Sequence, residues 1–184
     1  MKTLVALSIL ALAQAAHAQA TIVPAGSEIA FTSRQMGVPV DGRFRRFDAQ
    51  VSFDPNKPEA GGVALTIDLG SVSLGTAEVE AEVIRPDWFD TKQFPQASFA
   101  SSGIKPTGAG RFDVAGKLTI KGTAREVTVP VTLAAAGGNT TASGSFAIKR
   151  LDYRIGAGEW GDTSLVADEV TVRFKLVLAG TGPW

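Results

Sequence analysis

Paired carboxylates are the residues of this sequence whose types and spacing could support chemistry. A glycosidase, for example, needs two carboxyl groups about 5–9.5 Å apart in a cleft. The candidate groups are Asp87 with Asp90, Asp162 with Asp168 and Glu169, and Asp152 near Glu159. Aspartates at turns usually hydrogen-bond the local backbone, so we favour structural roles and predict no catalytic residue. A carboxylate-based hydrolase that uses Asp162 and Asp168 is the alternative.

Histidine and cysteine chemistry is excluded from most of the chain. The only histidine is His17, and there is no cysteine. Beyond residue 17 the sequence therefore lacks the side chains for a Ser-His-Asp triad, a thiol nucleophile, or His- or Cys-ligated zinc, copper, iron or haem. We expect no metal site and no catalytic cofactor.

The densest group of basic residues consists of Arg34, Arg43, Arg45 and Arg46. Charge-assisted hydrogen bonds from Arg34 or Arg43 could hold a phosphate or another anionic headgroup. The same residues could be the solvent-facing charges of an edge hairpin. We favour the hairpin and keep Arg34 and Arg43 as headgroup candidates.

The first residues have the organisation of a secretory signal peptide. Lys2 gives a positive start, Leu4 to Ala13 is an apolar run, and Ala16-His17-Ala18 matches the small-x-small pattern before a cleavage site. The run is too short for a transmembrane helix, which needs about 20 residues. We predict that residues 1–18 are removed, with cleavage after Ala20 as the alternative, and that the product is periplasmic or secreted.

Residues 19–184 have the length of one domain. Removing Lys2 from the 18 basic residues leaves 17 against 18 acidic ones, a net charge of about −1. Such a balance gives no electrostatic attraction to nucleic acid, and nucleic acid is not expected as a partner. The sequence leaves open whether the protein is a monomer or a homodimer.

Apolar and polar residues alternate with period two over most of this domain, which is typical of half-buried strands. The clearest runs cover residues 63–69, 112–120, 127–133 and 170–178, and weaker ones lie near residues 29–31, 47–53, 99–104 and 146–148. Turn residues separate the runs. About eight short strands predict an all-β antiparallel barrel or sandwich. Periodicity alone does not decide between a barrel with a lumen for a ligand and a filled sandwich.

One helix is predicted from Thr76 to about Ile84, before Pro86, which disfavours its continuation. Its valines and Ile84 are expected on one side, and Glu78, Glu80 and Glu82 on the other. The helix leads into Asp87–Phe99, which holds four of the chain's 14 aromatic residues. These aromatics either close an ordinary core or line a cavity for an extended apolar molecule.

Several motifs in a fixed order resemble the YceI-like family of secreted polyisoprenoid-binding proteins. The most specific are Asp-aromatic-Phe-Asp…Phe-Pro…Phe within "DWFDTKQFPQASF", the hairpin "GKLTIKG", and the block "GEW…ADEV". The resemblance runs from about Ser27 to Leu178. It implies an antiparallel eight-stranded lipocalin-like barrel with one short helix packed beside it. It also implies a lipid-binding domain over residues 19–184.

The resemblance further implies a carrier without catalysis, whose ligand is a long isoprenoid lipid such as a polyprenyl phosphate or a quinone. The "GEW" ending is similar to relatives found with membrane cytochromes of the b561 type, which suggests such a cytochrome as a partner. A filled barrel acting as a stress or interaction module is a further alternative. From alternation and aromatic content, the predicted lumen residues are Phe31, Phe44, Phe47, Leu65, Ile67, Trp88, Phe89, Phe94, Phe99, Phe112, Leu118, Ile120, Phe146, Ile148, Trp160, Val172 and Phe174.

Overall fold

A computed structural model of the protein describes residues 19–54 and 56–180, and the predicted signal peptide lies outside these residues. In chain order the strands and the single α-helix are β1 Gln19–Gln35, β2 Val38–Phe44, β3 Phe47–Ser52, β4 Gly62–Asp68, β5 Val72–Ser73, α1 Ala77–Val83, β6 Gln96–Gly108, β7 Arg111–Ile120, β8 Thr123–Ala136, β9 Asn139–Lys149 and β10 Glu169–Ala179. Short 3-10 turns cover Pro58–Ala60, Leu69–Ser71, Arg150–Tyr153 and Gly158–Gly161.

The strands form one closed antiparallel barrel. Ten strands share a single sheet, and a pairing between β10 and β1 joins its ends. Strand β1 pairs with β2 along Ile29–Gln35 and with β3 along Gln19–Thr21, so β2 and β3 act as one bent strand. Strands β4 and β5 pair with β3 and β2 in the same way. Ten strands therefore occupy eight barrel positions, which confirms the predicted lipocalin-like barrel.

Period-two alternation explains why these segments form the barrel wall. In β10, Leu176 and Leu178 are buried, while Arg173 and Lys175 between the inward positions are exposed. Strand β7 repeats the pattern, with Phe112, Val114, Leu118 and Ile120 all buried. Because every strand contributes one apolar face, the core is the inner surface of the barrel. The sandwich alternative is therefore wrong, since the first and last strands pair and close the sheet.

Helix α1 lies in the connection between β5 and β6, beside one end of the barrel. It begins after Thr76, whose hydroxyl oxygen accepts a hydrogen bond from the Val79 amide at 3.4 Å. The predicted helix is confirmed, but its predicted division into apolar and acidic sides is wrong. Glu78 and Glu82 border the barrel interior together with Val79 and Val83, because positions i and i+4 share a helix face.

Among the described residues, no helix has the length and apolar character required to cross a bilayer.

Candidate functional site

A cavity of about 520 Å³ runs through the barrel. Its volume lies within the range of about 300–1,000 Å³ that is usual for small-molecule sites. Aliphatic and aromatic side chains from every barrel position form its wall, from Leu178 and Phe112 at one end to Trp88 and Trp160 at the other. The protein's own side chains therefore leave the lumen open. The filled-barrel alternative requires a filled lumen and does not agree with this cavity.

Three glycines keep the large rings of the wall flat against the sheet. A Cβ atom added at Gly42, Gly116 or Gly144 would lie 2.3, 2.6 or 2.7 Å from the ring of Phe31, Phe99 or Phe174, respectively. Two of these pairs, Phe31 with Gly42 and Phe174 with Gly144, are direct cross-strand partners. Each ring therefore occupies the space of a missing side chain, and the centre of the lumen stays open.

The cavity opens at the end that carries α1. Its solvent-exposed wall residues are Gln35 on β1 and Glu78 and Val79 on α1, and all three lie at this end. Met36 and Val38, which are 70% and 62% exposed, lie in the adjoining β1–β2 hairpin. At the other end, wall residues such as Phe112 and Leu178 are buried. We call the two ends the open end and the closed end.

The stretch after α1 turns its two leading aromatics into the open end. The Trp88 and Trp160 ring centroids lie 5.6 Å apart, and Phe89 meets Phe44 edge-on at 6.0 Å. The Phe89 amide donates to the Val83 carbonyl at 2.9 Å, which ties this turn to the helix. Among the described residues, only Nε1 of Trp88 is a buried side-chain polar atom without a hydrogen-bond partner.

Arg150 anchors the loop that covers one side of the open end. Its side chain is 2% exposed and borders the cavity. Each of its five N–H groups donates to a backbone carbonyl at 2.6–3.1 Å, the acceptors being those of Ile155, Gly156, Trp160, Val166 and Ala167. Burial lowers the pKa of Arg150, and the charge of Asp168 opposes that shift. The guanidinium thus acts as a template for the backbone of residues 155–167.

Lys121 performs a similar task from the β7–β8 turn. Its Nζ donates to the carbonyls of Pro86 at 2.6 Å and Arg154 at 2.9 Å. Burial lowers the pKa of Lys121, while the carboxylate of Asp90 works in the opposite direction. The lysine therefore fastens the Trp88 turn and the Arg150 loop to the barrel.

The wall includes every predicted lumen residue except Phe47 and Phe94. Phe47 lies in a second, shallow pocket beside Ile22, Arg43 and Lys175. Phe94 packs against Gly122, where an added Cβ would approach its ring to 2.7 Å. Ligand contact by the residues of the wall stays a prediction. Phe47 and Phe94 occupy no part of it, because the β2–β3 bend and the β7–β8 turn engage them instead.

The two headgroup candidates are not part of the wall. On β1, Phe31, Ser33 and Gln35 border the cavity, so alternation directs Arg34 outwards, where it donates to the Gly37 carbonyl at 3.3 Å. On β2, Val40 and Phe44 border the cavity, and Arg43 is directed outwards by the same alternation. This arrangement supports the hairpin interpretation and gives the headgroup role no support.

The carboxylates behind the hydrolase alternative serve the loop structure. Asp162 accepts hydrogen bonds from the amide and hydroxyl of Ser164 at 2.9 and 2.7 Å, and these lower its pKa. Asp168 accepts from the Leu151 amide at 3.0 Å. Neither residue borders the cavity. Within residues 19–54 and 56–180, no cluster of three or more His, Cys, Asp or Glu is placed to hold a metal ion.

A closed eight-stranded barrel with an apolar cavity open at one end defines a lipocalin-like protein. Residues 21–178 match the model of the YceI-like domain, so this chain belongs to the YceI-like family. The resemblance found in the sequence is thereby confirmed.

Solved structures share this architecture. BcnA of Burkholderia cenocepacia is 49% identical, with a TM-score of 0.82 over 85% of this chain and 98% of its own. A polyisoprenoid-binding domain from Saccharophagus degradans, implicated in plant cell wall breakdown, is 22% identical, with a TM-score of 0.71 over 89% of this chain and 98% of its own.

A UPF0312 protein of Azotobacter vinelandii is 39% identical over 94 residues, which are 51% of this chain and 47% of that protein. The chain thus spans about half the length of the curated relatives it matches.

Proposed function

We propose that this protein is an exported carrier that sequesters a long isoprenoid lipid, such as a polyprenyl phosphate or a quinone, in its barrel. The observation that carries the proposal is the apolar cavity of about 520 Å³ with an open end. Membership of the YceI-like family and the shared fold of a polyisoprenoid-binding domain support the same ligand class.

The energetics of burial favour a long hydrocarbon tail. Each five-carbon unit removed from water contributes on the order of 3–4 kcal/mol before the costs of binding are subtracted. The wall offers aliphatic and aromatic contacts along the whole barrel, so a tail needs no specific polar partner. We propose binding and release without covalent chemistry.

Extraction of the purified protein with organic solvent, followed by mass spectrometry, tests this function. We expect an isoprenoid in the extract, or uptake of added quinone or polyprenyl phosphate by the emptied protein. Absence of both would overturn the proposal.

A matched pair of variants on β10 tests whether the lumen holds the lipid. Val172 borders the cavity, whereas its neighbour Thr171 does not. Val172→Trp should fill part of the lumen and abolish retention, while Thr171→Trp should retain the lipid. Circular dichroism establishes that both variants are folded. Equal retention by the two folded variants would place the lipid elsewhere.

Export and the cytochrome partner are the remaining parts of the proposal. Residues 1–18 have signal-peptide organisation, so the mature protein should be recovered from the periplasm beginning at Gln19. Recovery of the full-length chain from the cytoplasm would contradict export. Co-purification with a b561-type cytochrome from solubilised membranes tests the partner, and its absence would contradict that part of the proposal.

A further inference from the structure

The charged residues that border the cavity are few and unevenly distributed. In the described parts of the chain, the wall contains two carboxylates at the open end, Glu78 and Glu82, and one cation, Arg150. These three are the charged groups of the wall itself within the described residues.

Arg150 cannot serve as the anion-binding group of this site. All five of its N–H groups already donate to backbone carbonyls of residues 155–167. Turning it towards a phosphate would leave those buried carbonyls without donors, which is costly. Lys121 is similarly committed to two carbonyls.

The other cations near the open end are paired or face solvent. Arg45 lies 3.5 Å from Glu80, and Arg85 lies 3.0 Å from Glu82 and is exposed. Glu82 is thus partly neutralised. Glu78, by contrast, has no hydrogen-bond or ion-pair partner among the described residues.

The wall offers no free cation at this end, because Arg150, its one cation among the described residues, is committed to backbone carbonyls. The buried polar atom without a partner among the described residues, Nε1 of Trp88, has almost no accessible surface and is enclosed by protein although its ring borders the cavity. Phosphate is usually bound by cations or by several backbone amides, whereas an alcohol or quinone headgroup needs no cation. The uncompensated carboxylate repels a phosphate, and this repulsion acts over about 10 Å at 0.1 M salt.

We propose that the open end selects isoprenoids with an uncharged headgroup, such as an alcohol or a quinone, over the same tail carrying a phosphate. Glu78 is the main determinant of this selection, and Glu82 contributes less because Arg85 pairs with it. The inference rests on the proposed function, since it concerns the headgroup of the lipid that the barrel would hold.

Farnesol and farnesyl phosphate test the selection, because they share one tail and differ only in the headgroup. We expect farnesol to bind the lipid-free protein at least about tenfold more tightly at 20 mM NaCl. The ratio should shrink at 500 mM NaCl, where surface charges are screened. Equal or tighter binding of the phosphate at low salt would overturn the selection. Binding of neither compound, nor of any longer isoprenoid, would contradict the proposed function instead.

Charge variants test whether Glu78 determines the preference for farnesol over farnesyl phosphate. Glu78→Lys should reduce the farnesol preference about tenfold or more, and Glu78→Gln should reduce it by a smaller factor. Glu126→Lys is the control, because Glu126 is exposed on β8 and is not part of the cavity wall. If Glu78→Lys and Glu126→Lys change the preference equally, Glu78 is not the determinant.

Discussion

The two ends of the barrel are built from different interactions. At the closed end, apolar side chains meet across the lumen, and Phe53 packs edge-on against Phe112 with ring centroids 5.2 Å apart. At the open end, charged side chains donate to backbone carbonyls, with Arg150 and Lys121 holding loops built from turns and short 3-10 segments.

The two ends differ because apolar packing and hydrogen bonding have different geometric requirements. Packing excludes water and needs atoms on every side, so it can close a barrel but cannot keep one open. Hydrogen bonds from a buried guanidinium fix a loop in place without filling the space beside it. Polar anchors therefore fix the shape of the open end, and apolar packing seals the closed end.

The first test removes the principal anchor of the open end. Arg150→Met should lower the free energy of unfolding by at least about 3 kcal/mol, because each buried carbonyl left without a donor costs about 1–3 kcal/mol. Urea denaturation measures the change. Arg111→Met, at an exposed position on β7, is the control and should change stability by less than about 0.5 kcal/mol. If the two variants lose similar amounts of unfolding free energy, Arg150 is not a principal anchor of the open end.

The second test weakens the closed end. Phe112→Ala should cost about 3 kcal/mol, as usual for a buried phenylalanine, and should open a second exit from the lumen. Release of bound farnesol, followed by stopped flow, should therefore accelerate. Phe94→Ala, outside the cavity wall, should reduce stability without changing the release rate. An unchanged rate of farnesol release from Phe112→Ala would show that the closed end does not retain the ligand.

The third test concerns the glycines that leave room for aromatic rings. In Gly42→Ala the new methyl group would clash with Phe31 and Leu74 side chains, so the ring should move into the lumen. Overpacking of this kind costs about 1–3 kcal/mol, and farnesol affinity should fall about tenfold. Gly103→Ala is the control, since nothing lies within 4 Å of its added Cβ. Equal farnesol affinities of Gly42→Ala and Gly103→Ala would show that the ligand does not occupy the lumen near Phe31.

The smallest effect is expected from the Asp162 turn in the open-end loop. Hydrogen bonds from Ser164 lower the Asp162 pKa, so the turn adds stability above the unfolded pKa and loses it as pH falls through the folded pKa. Ser164→Ala should raise the Asp162 pKa, as measured by NMR titration. The stability difference from the wild type should vanish in acid below both pKa values. An unchanged pKa would assign the shift to another cause.

Much of the barrel could be predicted because period two repeats in every long strand. Strands β2 and β5 gave no period-two signal, although a hairpin is favoured at Arg34 and Arg43: Pro39 and Gly42 interrupt the alternation of β2, and β5 has only two residues. Closure could not be deduced from periodicity, since it depends on pairing between the first and last strands. The outward direction of Arg34, however, follows from the inward position of Phe31, and that signal was available.

The anchors of the open end gave no comparable signal. Arg150 is one arginine after a strand, and its carbonyl acceptors lie at residues 155–167, in a loop without periodicity. The acidic border of the cavity was also missed. A helical projection that separates valines from glutamates hides the fact that Glu78 and Glu82 lie beside Val79 and Val83 on the face towards the lumen.

The seam between β1 and β10 has a consequence for the order of events in folding. Ser27 and Val177, which are hydrogen-bonded across it, lie 150 residues apart, and we expect contacts of such long range to form after local ones because closing the long loop costs entropy. The hairpins of β6 to β9 are local and can form earlier. Until the seam closes, the inner apolar face is one side of an open, curved sheet. If a lipid arrives before the seam closes, we expect β10 to enclose it from the side. A lipid that arrives afterwards must enter through the open end, past Glu78.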